Sequence, residues 1–419
     1  MAMTLAALVA AIVLTGSSVT PAQAASGYET EPVLNAKDLV GPELLKGPHF
    51  TVDAKVPVTG FIARFTVRSS FGTFEAHGLR MLPITVNEVE ALAKLDELSK
   101  TREFLAAAGR AIARPVVAAA NMVTRPVETV RGVPGGVSRL FGRIGLAGRR
   151  IGQAATAPDQ NVLERTGGTF RAVGSTAAMA LGFEAERRRL AERLGVDPYT
   201  TNLLLSEKLT DVAWVSFSGR LGIAVASAIL VPYSQAMAGV SATNRAIWDT
   251  PAGDLINNAN ATFGRTGAST EQVQALMRNT QYSLSSLTAL AIGIQRLEGV
   301  TGRDALVVFA AVAETQDEVH FAASAVNMLA RYHEAVSPLS RVSAPGPILA
   351  HSAAGVLVLP MPVDYVSWIE PLGRTVVLPE LQAPDKLMFL SGRTSRLART
   401  NLVSRGWRID ELNSNAAER

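Results

Sequence analysis

Between His49 and Arg80 apolar and polar residues alternate in short runs, "HFTVDAKV", "GFIARFTV" and "TFEAHGLRML". Breakers separate them at Pro57-Val58-Thr59-Gly60 and Ser69-Ser70-Phe71-Gly72. In "FIARFTV" Phe61, Ala63, Phe65 and Val67 share one face, and Ile62, Arg64 and Thr66 the other. A period of two marks a half-buried strand, so this region predicts a three-stranded antiparallel meander.

From Ile84 the period lengthens. Val86, Val89, Leu92, Ala93, Leu95 and Leu98 recur at helical spacing, with Glu88, Glu90, Lys94, Glu97 and Lys100 on the wet side. This predicts a long helix over 84–113 that covers the apolar face of the sheet. Helical patterns return at 181–195, stopped by Gly195 and the turn "VDPYTTN", and from Leu203 to Trp214, where Thr200, Thr201 or Asn202 can cap. The longest runs over 303–336. Between Arg220 and Arg245 lie 24 residues without a charge. That length could span a bilayer, but Pro232, Gln235 and several Ser and Thr favour a buried core helix. A second uncharged run, 279–295, is too polar at its start to span.

At Ser337 the texture changes to a Pro/Gly/Ser linker, "SPLSRVSAPGPIL". Short strands follow at "AAGVLVLPMP", "TVVLPEL" and "DKLMFLSG", then a helix at "RTSRLARTNLVSRG" and a strand at "WRIDEL". The fold class expected is α+β and predominantly α-helical. It combines a small N-terminal antiparallel β-meander with its covering helix (25–113), a connector (114–157), a helical middle (158–336) and a small C-terminal α/β unit (345–412).

Composition narrows the classes. Hydrophobic residues make up 48% and charged residues 18%, which excludes disorder for most of the chain, and 6% aromatics lean towards helix. With no cysteine, disulfides, thiolate catalysis and Cys-type zinc sites are closed off. A net charge of +4 is too weak overall to argue for nucleic acid. Residues 1–24 read as a signal peptide, with an apolar run from Leu5 to Leu14 and the small-x-small pattern Ala22-Gln23-Ala24, although no Lys or Arg precedes the run. The mature chain is then expected to begin near Ala25, exported to the periplasm or held at a membrane face of the cell envelope.

Charge is unevenly distributed. Residues 110–150 hold eight arginines (110, 114, 125, 131, 139, 143, 149, 150) against one acid, Glu128. This local surplus of seven leaves the remainder of a +4 chain negative. Advancing about 100° per residue from Arg139 keeps Arg143 and Arg150 within about 40° of it. Val137, Leu140, Ile144 and Ile151 fall at about 100–160° and Phe141 at about 200°. Guanidiniums on one side and aliphatics on the other are the design of an interfacial helix. Arg125 and Arg131 extend the basic surface upstream. Prolines 115, 126 and 134 break the run, and six glycines between 132 and 148 weaken any helix there. A solvated connector whose aliphatics dock on the core, and a surface for an acidic protein or other polyanion, fit the same residues. Residues 123–150 also resemble the "PVETV-G" amphipathic linker repeats of some large secreted bacterial toxins, a resemblance that carries no function with it.

Candidate chemistry is sparse. Glu314, Asp317, Glu318, His320 and His333 lie on one predicted helix, and Asp317 and His320 have the i, i+3 spacing of bundle metal sites. His320 and His333 face different ways, and a metal would need ligands from elsewhere, so no metal is expected. "LAHSAAG" around Ser352 has alanines where a nucleophile elbow has glycines, and no histidine follows His351. In "FLSGRTSRLAR" a helix start offers backbone N–H groups near Thr394 and Ser395, flanked by Arg393 and Arg396, a weak anion site or an ordinary cap. Asp364, Tyr365, Trp368 and Glu370 gather between strand candidates, as in a ligand-binding loop or a half-buried strand edge. No Walker, GxGxxG, HExxH or paired CxxC motif is present, and no cofactor is expected. The leading expectation is an exported, non-catalytic envelope protein contacting an anionic membrane surface or acidic partner. Its rivals are an enzyme centred on Glu314/Asp317/His320 or Asp364/Glu370, and a protein inserting its uncharged runs into a membrane.

Overall fold

The computed structural model describes residues 27–109, 137, 177–219 and 242–411. The fold is α+β and rich in helix, with an antiparallel N-terminal sheet and a mixed C-terminal sheet.

In the N-terminal sheet β1 (Val33–Asn35) pairs with β3 (Lys55–Thr59), and β4 (Ile62–Ser69) is the spine. It pairs antiparallel with β3 at Ile62–Ala63, with β2 (Phe50–Val52) at Val67–Ser69, and with β5 (Gly72–His77) along Arg64–Ser69. The period-two face is the buried one: Phe61, Ala63, Phe65 and Val67 are all 0% exposed. A short α1 (Pro42–Leu45) lies in the lead-in segment.

The covering helix is two helices, α2 (Met81–Ser99) and α3 (Arg102–Ala108), because the Thr101 side chain accepts from Phe104 N and starts a new helix. The first half of α2 puts Leu82, Val86 and Val89 on the sheet. Its second half packs Leu92, Leu95 and Leu98 with α4 (Ala177–Leu194) and α5 (Leu203–Gly219) in a separate core around Leu205, Leu209 and Trp214. The expectation that Glu88 and Glu90 face water fails, since both are buried. Their partners arrive from distant stretches, His49 for Glu90 and Thr200 and Asn202 for Glu88.

Six helices build the main core: α6 (Ala242–Asp249), α7 (Ala252–Gly264), α8 (Thr270–Arg278), α9 (Leu284–Gln295), α10 (Asp304–Ala311) and α11 (Gln316–Ala335). The single helix expected over 303–336 is interrupted, because Thr315 caps α11 by accepting from Glu318 N. The C-terminal sheet shares this core. Its order is β12-β10-β8-β7-β6, with β6 Leu339–Ser343, β7 Leu349–Ser352, β8 Leu357–Met361, β10 Lys386–Leu390 and β12 Trp407–Glu411. β10 runs parallel to both β8 and β12. β9 (Tyr365–Val366) pairs with β11 (Arg393–Thr394) beside it. Two local expectations are corrected here. The linker after Ser337 contains β6, and "TVVLPEL" is the end of α12 (Glu370–Thr375) plus a 3-10 turn that Pro379 opens. Between β11 and β12 lies α13 (Arg396–Val403).

Residues 28–31 bind the two ends of the molecule together. Glu29 N donates to Trp368 O (3.0 Å), and its carboxylate accepts from Trp368 N and Ser395 Oγ. The Glu31 carboxylate accepts from Gly60 N (2.8 Å) and Phe61 N (2.7 Å) in the β3–β4 turn. Both turn residues have positive φ, 58° and 72°, which is unstrained at Gly60 and strained at Phe61. Burial of the Phe61 ring in the main core offsets that strain.

Candidate functional site

Arg125, Arg131, Arg139, Leu140, Phe141, Arg143, Ile144, Arg150 and Ile151 lie outside the described residues, as do the expected signal peptide 1–24 and residues 220–241. Val137, the one described residue of the stretch, is a turn residue buried in the main core. What the structure defines is where the neighbouring segments attach. α4 and α5 are antiparallel: Phe183 meets Trp214 at 5.5 Å and Phe217 at 6.5 Å, while Arg187 Nη2 donates to Ser206 Oγ at 3.1 Å. Ala177 and Gly219 therefore mark one end of the pair. α3, from whose end the chain enters residue 110, packs on α5 as well, with Phe104 in the shared core. Leu105 on the same helix is 58% exposed.

The richest polar cluster among the described residues lies where β4, β5 and the start of α2 meet α11 and the 361–365 loop. Asp317 Oδ2 accepts from Arg64 Nη2 (2.6 Å) and Oδ1 pairs with His77 Nδ1 (2.8 Å). Burial would raise the Asp317 carboxyl, but His77 and Arg64 outweigh it and hold it below the usual carboxylate range. Asp364 accepts from Ala63 N (2.9 Å) and Leu79 N (3.1 Å), and burial lifts its pKa to about 6 against those two bonds. Its position is fixed from behind, because a side chain at Gly392 would collide with the Asp364 carbonyl at 2.1 Å. His320 lies beside Asp317, His77 and Arg80. Burial holds its imidazole below the ordinary range, against the pull of Asp317. Asp317 and His320, singled out together in sequence, and Asp364, singled out apart from them, thus share one neighbourhood, whereas Glu314 is exposed and Glu370 pairs with Arg374 on the surface. His77, Arg64, Arg80 and Arg331 were not singled out.

An Asp–His pair orients an imidazole for acid–base work, but the second nitrogen of His77 is turned to Glu75 Oε2 at 3.3 Å. No group of three or more His, Asp and Glu among the described residues is arranged to hold a metal ion. His333 is remote from this cluster in role: its Nδ1 accepts from Leu339 N (2.8 Å) and closes the end of α11. Ser352 is buried, its hydroxyl accepting from Val356 N (3.1 Å) in a turn.

A second polar junction is fully internal. Glu88 accepts from Thr200 Oγ1 and from Asn202 Nδ2 (3.0 Å), and burial raises its pKa to about 7. Asp197, raised by burial too, accepts from Ser285 Oγ (2.6 Å) and Tyr199 N (2.7 Å). Glu184 accepts from Tyr199 Oη and Ala252 N and forms an ion pair with Arg188 at 2.6 Å. These bonds tie the α4–α5 turn to α2, α7 and α9 and make a structural joint.

At the α13 N-terminus the anions are the chain's own. Ser395 accepts from Ala398 N (2.9 Å) and donates to Glu29, while Thr394 donates through N (3.2 Å) and Oγ1 (2.9 Å) to Glu411. Arg393 and Arg396 are exposed beside them. Comparison of the chain with known family models, characterised proteins and solved structures finds no match.

Proposed function

We propose that the protein is an exported, non-catalytic component of the cell envelope that docks on an anionic membrane surface through residues 125–131 and 139–151, on either side of the core residue Val137. The observation that carries this reading is the concentration of eight arginines against one acid in residues 110–150 of a chain whose net charge is +4. The geometry supports it in one respect. The described chain resumes at Ala177 and breaks off after Gly219, and these two points mark one end of the helical pair α4–α5. Among the described residues no helix is long and apolar enough to cross a membrane. Arg125, Arg131, Arg139, Arg143 and Arg150 meet lipid phosphates, while Leu140, Phe141, Ile144 and Ile151 enter the acyl boundary.

Co-sedimentation of the mature chain with vesicles of 30–40% anionic lipid, roughly the charge range in which such helices bind, tests the reading. Each arginine near such a surface contributes about 1 kcal/mol, so replacing Arg139, Arg143 and Arg150 by Glu weakens binding by about 100-fold or more. Undiminished binding by that variant, or failure of the wild type to bind at low salt, overturns it. Release of the bound protein by carbonate separates surface docking from insertion of the uncharged run. Capture of an acidic protein without vesicle binding would replace the lipid by that partner.

A further inference from the structure

The turn between α4 and α5, residues 195–202, is held in place by two carboxyls that make no ion pair among the described residues. From α2, Glu88 meets Thr200 Oγ1 with Oε1 and Asn202 Nδ2 with Oε2 (3.0 Å). Asp197, on the turn itself, takes Ser285 Oγ of α9 (2.6 Å) and Tyr199 N (2.7 Å) on one oxygen, Oδ1. Every donor in this set is neutral, and Glu88 is only 9% exposed. A carboxyl buried among neutral donors favours its protonated form. That form fits the contacts. A hydroxyl can accept where it donated, so a protonated Glu88 keeps Thr200 by giving it the proton and keeps Asn202 by accepting. Asp197 can carry its proton on Oδ2 with both bonds to Oδ1 unchanged.

The charged groups around the turn do not reverse this. Burial raises the Asp197 carboxyl, and Arg187 of α4, which donates to Ser206 Oγ, opposes the rise without cancelling it. Glu184 and Arg188 pair with each other beside Tyr199. Along α2, Glu90 is paired with His49, and Asp96 with Lys100 and Lys208. Burial lifts the Glu88 pKa to about 7, and Asp197 adds to it against the bonds from Thr200 and Asn202.

The turn also stands between two cores. α4 and α5 pack with the second half of α2 around Leu205, Leu209 and Trp214, whereas Tyr199 of the turn belongs to the main core. Trp248 Nε1 of α6 adds a bond to Val196 O (3.0 Å). Undocking the turn therefore loosens the seam between the cores without dismantling either.

We propose that the 195–202 turn is a proton-operated latch: with Glu88 and Asp197 protonated it fastens the α4–α5 pair to α2 and α9, and their ionisation releases it. Once released, both carboxyls reach water and titrate in the ordinary range, so release is coupled to proton loss and grows with pH. For Glu88 alone, the difference between 4.5 and about 7 raises the released fraction about 70-fold from pH 5 to pH 8, most of it before pH 7. The latch is closed in acid.

Hydrogen exchange of the full mature chain, followed by mass spectrometry without vesicles, tests this. Rates are corrected for the intrinsic pH dependence of amide exchange. Peptides covering 195–202 should open more readily than those of β8 and β10 at every pH, and their opening should rise about 70-fold from pH 5 to pH 8. In Glu88→Gln the rise should shrink at least severalfold, and with Asp197→Asn added it should vanish. Both changes keep the side-chain shape, and an unchanged near-UV spectrum at pH 5 verifies packing. The wild-type profile decides even if a variant fails to fold. Opening of 195–202 that is constant with pH refutes the latch, and so does exchange no faster than that of β8 and β10, which would leave only global unfolding. A rise that survives in the double variant would assign the titration to other groups and overturn the proposal.

Discussion

Replacing Glu88 by Gln should remove a pH-dependent loss of stability. Glu88 is buried among Thr200, Asn202 and Asp197, and its pKa stands at about 7 against an ordinary 4.5. Burial is the main cause, opposed by the bonds from Thr200 and Asn202 and reinforced by Asp197. The folded chain therefore holds this proton more tightly than the unfolded chain. Below pH 4.5 the carboxyl is protonated in both states and its contribution is whole. From there to about pH 7 the unfolded chain has released a proton that the folded chain keeps, so stability falls as pH rises. At about 1.4 kcal/mol per unit across that interval, the loss comes to about 3 kcal/mol.

The amide of Gln keeps this shape without a charge. Its oxygen accepts from Asn202 Nδ2 and its nitrogen donates to Thr200 Oγ1, so both existing contacts have a counterpart. Urea denaturation of both proteins at pH 4.5, 6 and 8 measures the effect. Asp364, also raised, contributes a slope of the same sign that cancels when the variant is subtracted from the wild type, whereas Asp197 is coupled to Glu88 and its slope belongs to the measured difference. The expected difference is near zero at the lowest pH and reaches about 3 kcal/mol in favour of Glu88→Gln at the highest. Parallel curves would show that Glu88 does not titrate as its surroundings dictate, and a Gln variant that is weaker only at the highest pH would show that the carboxylate is needed in its charged form.

Phe61→Ala and Phe61→Gly both empty a fully buried ring site and should each lose about 3–5 kcal/mol. The glycine variant, free of strain at a φ of 72°, should nonetheless be the more stable by about 1 kcal/mol. Equal melting temperatures would contradict the left-handed turn. Asp317→Ala leaves Arg64 and His77 without their shared carboxylate and should destabilise by about 3 kcal/mol at neutral pH. Because the Asp317 pKa is depressed, its contribution is present above the ordinary carboxylate range and is lost as pH falls through the folded value. The gap between wild type and variant should therefore close in acid; a gap independent of pH would rule out the ionised carboxylate as its source.

The strands at 61–77 and the helices with one buried face were legible because burial writes its period into the sequence. The run 49–56, read as one strand of three, instead forms β2 and part of β3 in a five-stranded sheet, and α6, α7 and α8 were read only as part of a helical middle. The breaks inside the two longest predicted helices were not found, although Thr315 and Glu318 stand at the spacing of a cap, which was the available signal. Charged positions were read from local spacing alone, and there the method fails for a physical reason. Glu88 looks like a solvent-side residue of α2 until the turn 112 residues later covers it. His77 and Asp317 are 240 residues apart, and Asp364 reaches Ala63 across 301. Periodicity reports which face of an element is buried, not which polar side chain another element will bring to it. Ser395 was legible as a helix cap, but the carboxylate it meets, Glu29, lies in a lead-in that gave no sign of packing.

The acids at these joints also set the position of a neighbouring arginine. Glu31 and Asp364 hold the hairpin 59–63 from opposite directions, one at the amides of Gly60 and Phe61, the other at those of Ala63 and Leu79. Asp364 also lies close enough to Arg80 for each to favour the charged form of the other, and Arg80 follows Leu79 directly in the chain. The clamp that fixes the hairpin on the C-terminal unit therefore also fixes the place from which Arg80 approaches Ser324. Arg80 is thereby tied to residues on both sides of the joint, and its geometry depends on Gly392 leaving room for the Asp364 backbone as much as on any residue of its own helix.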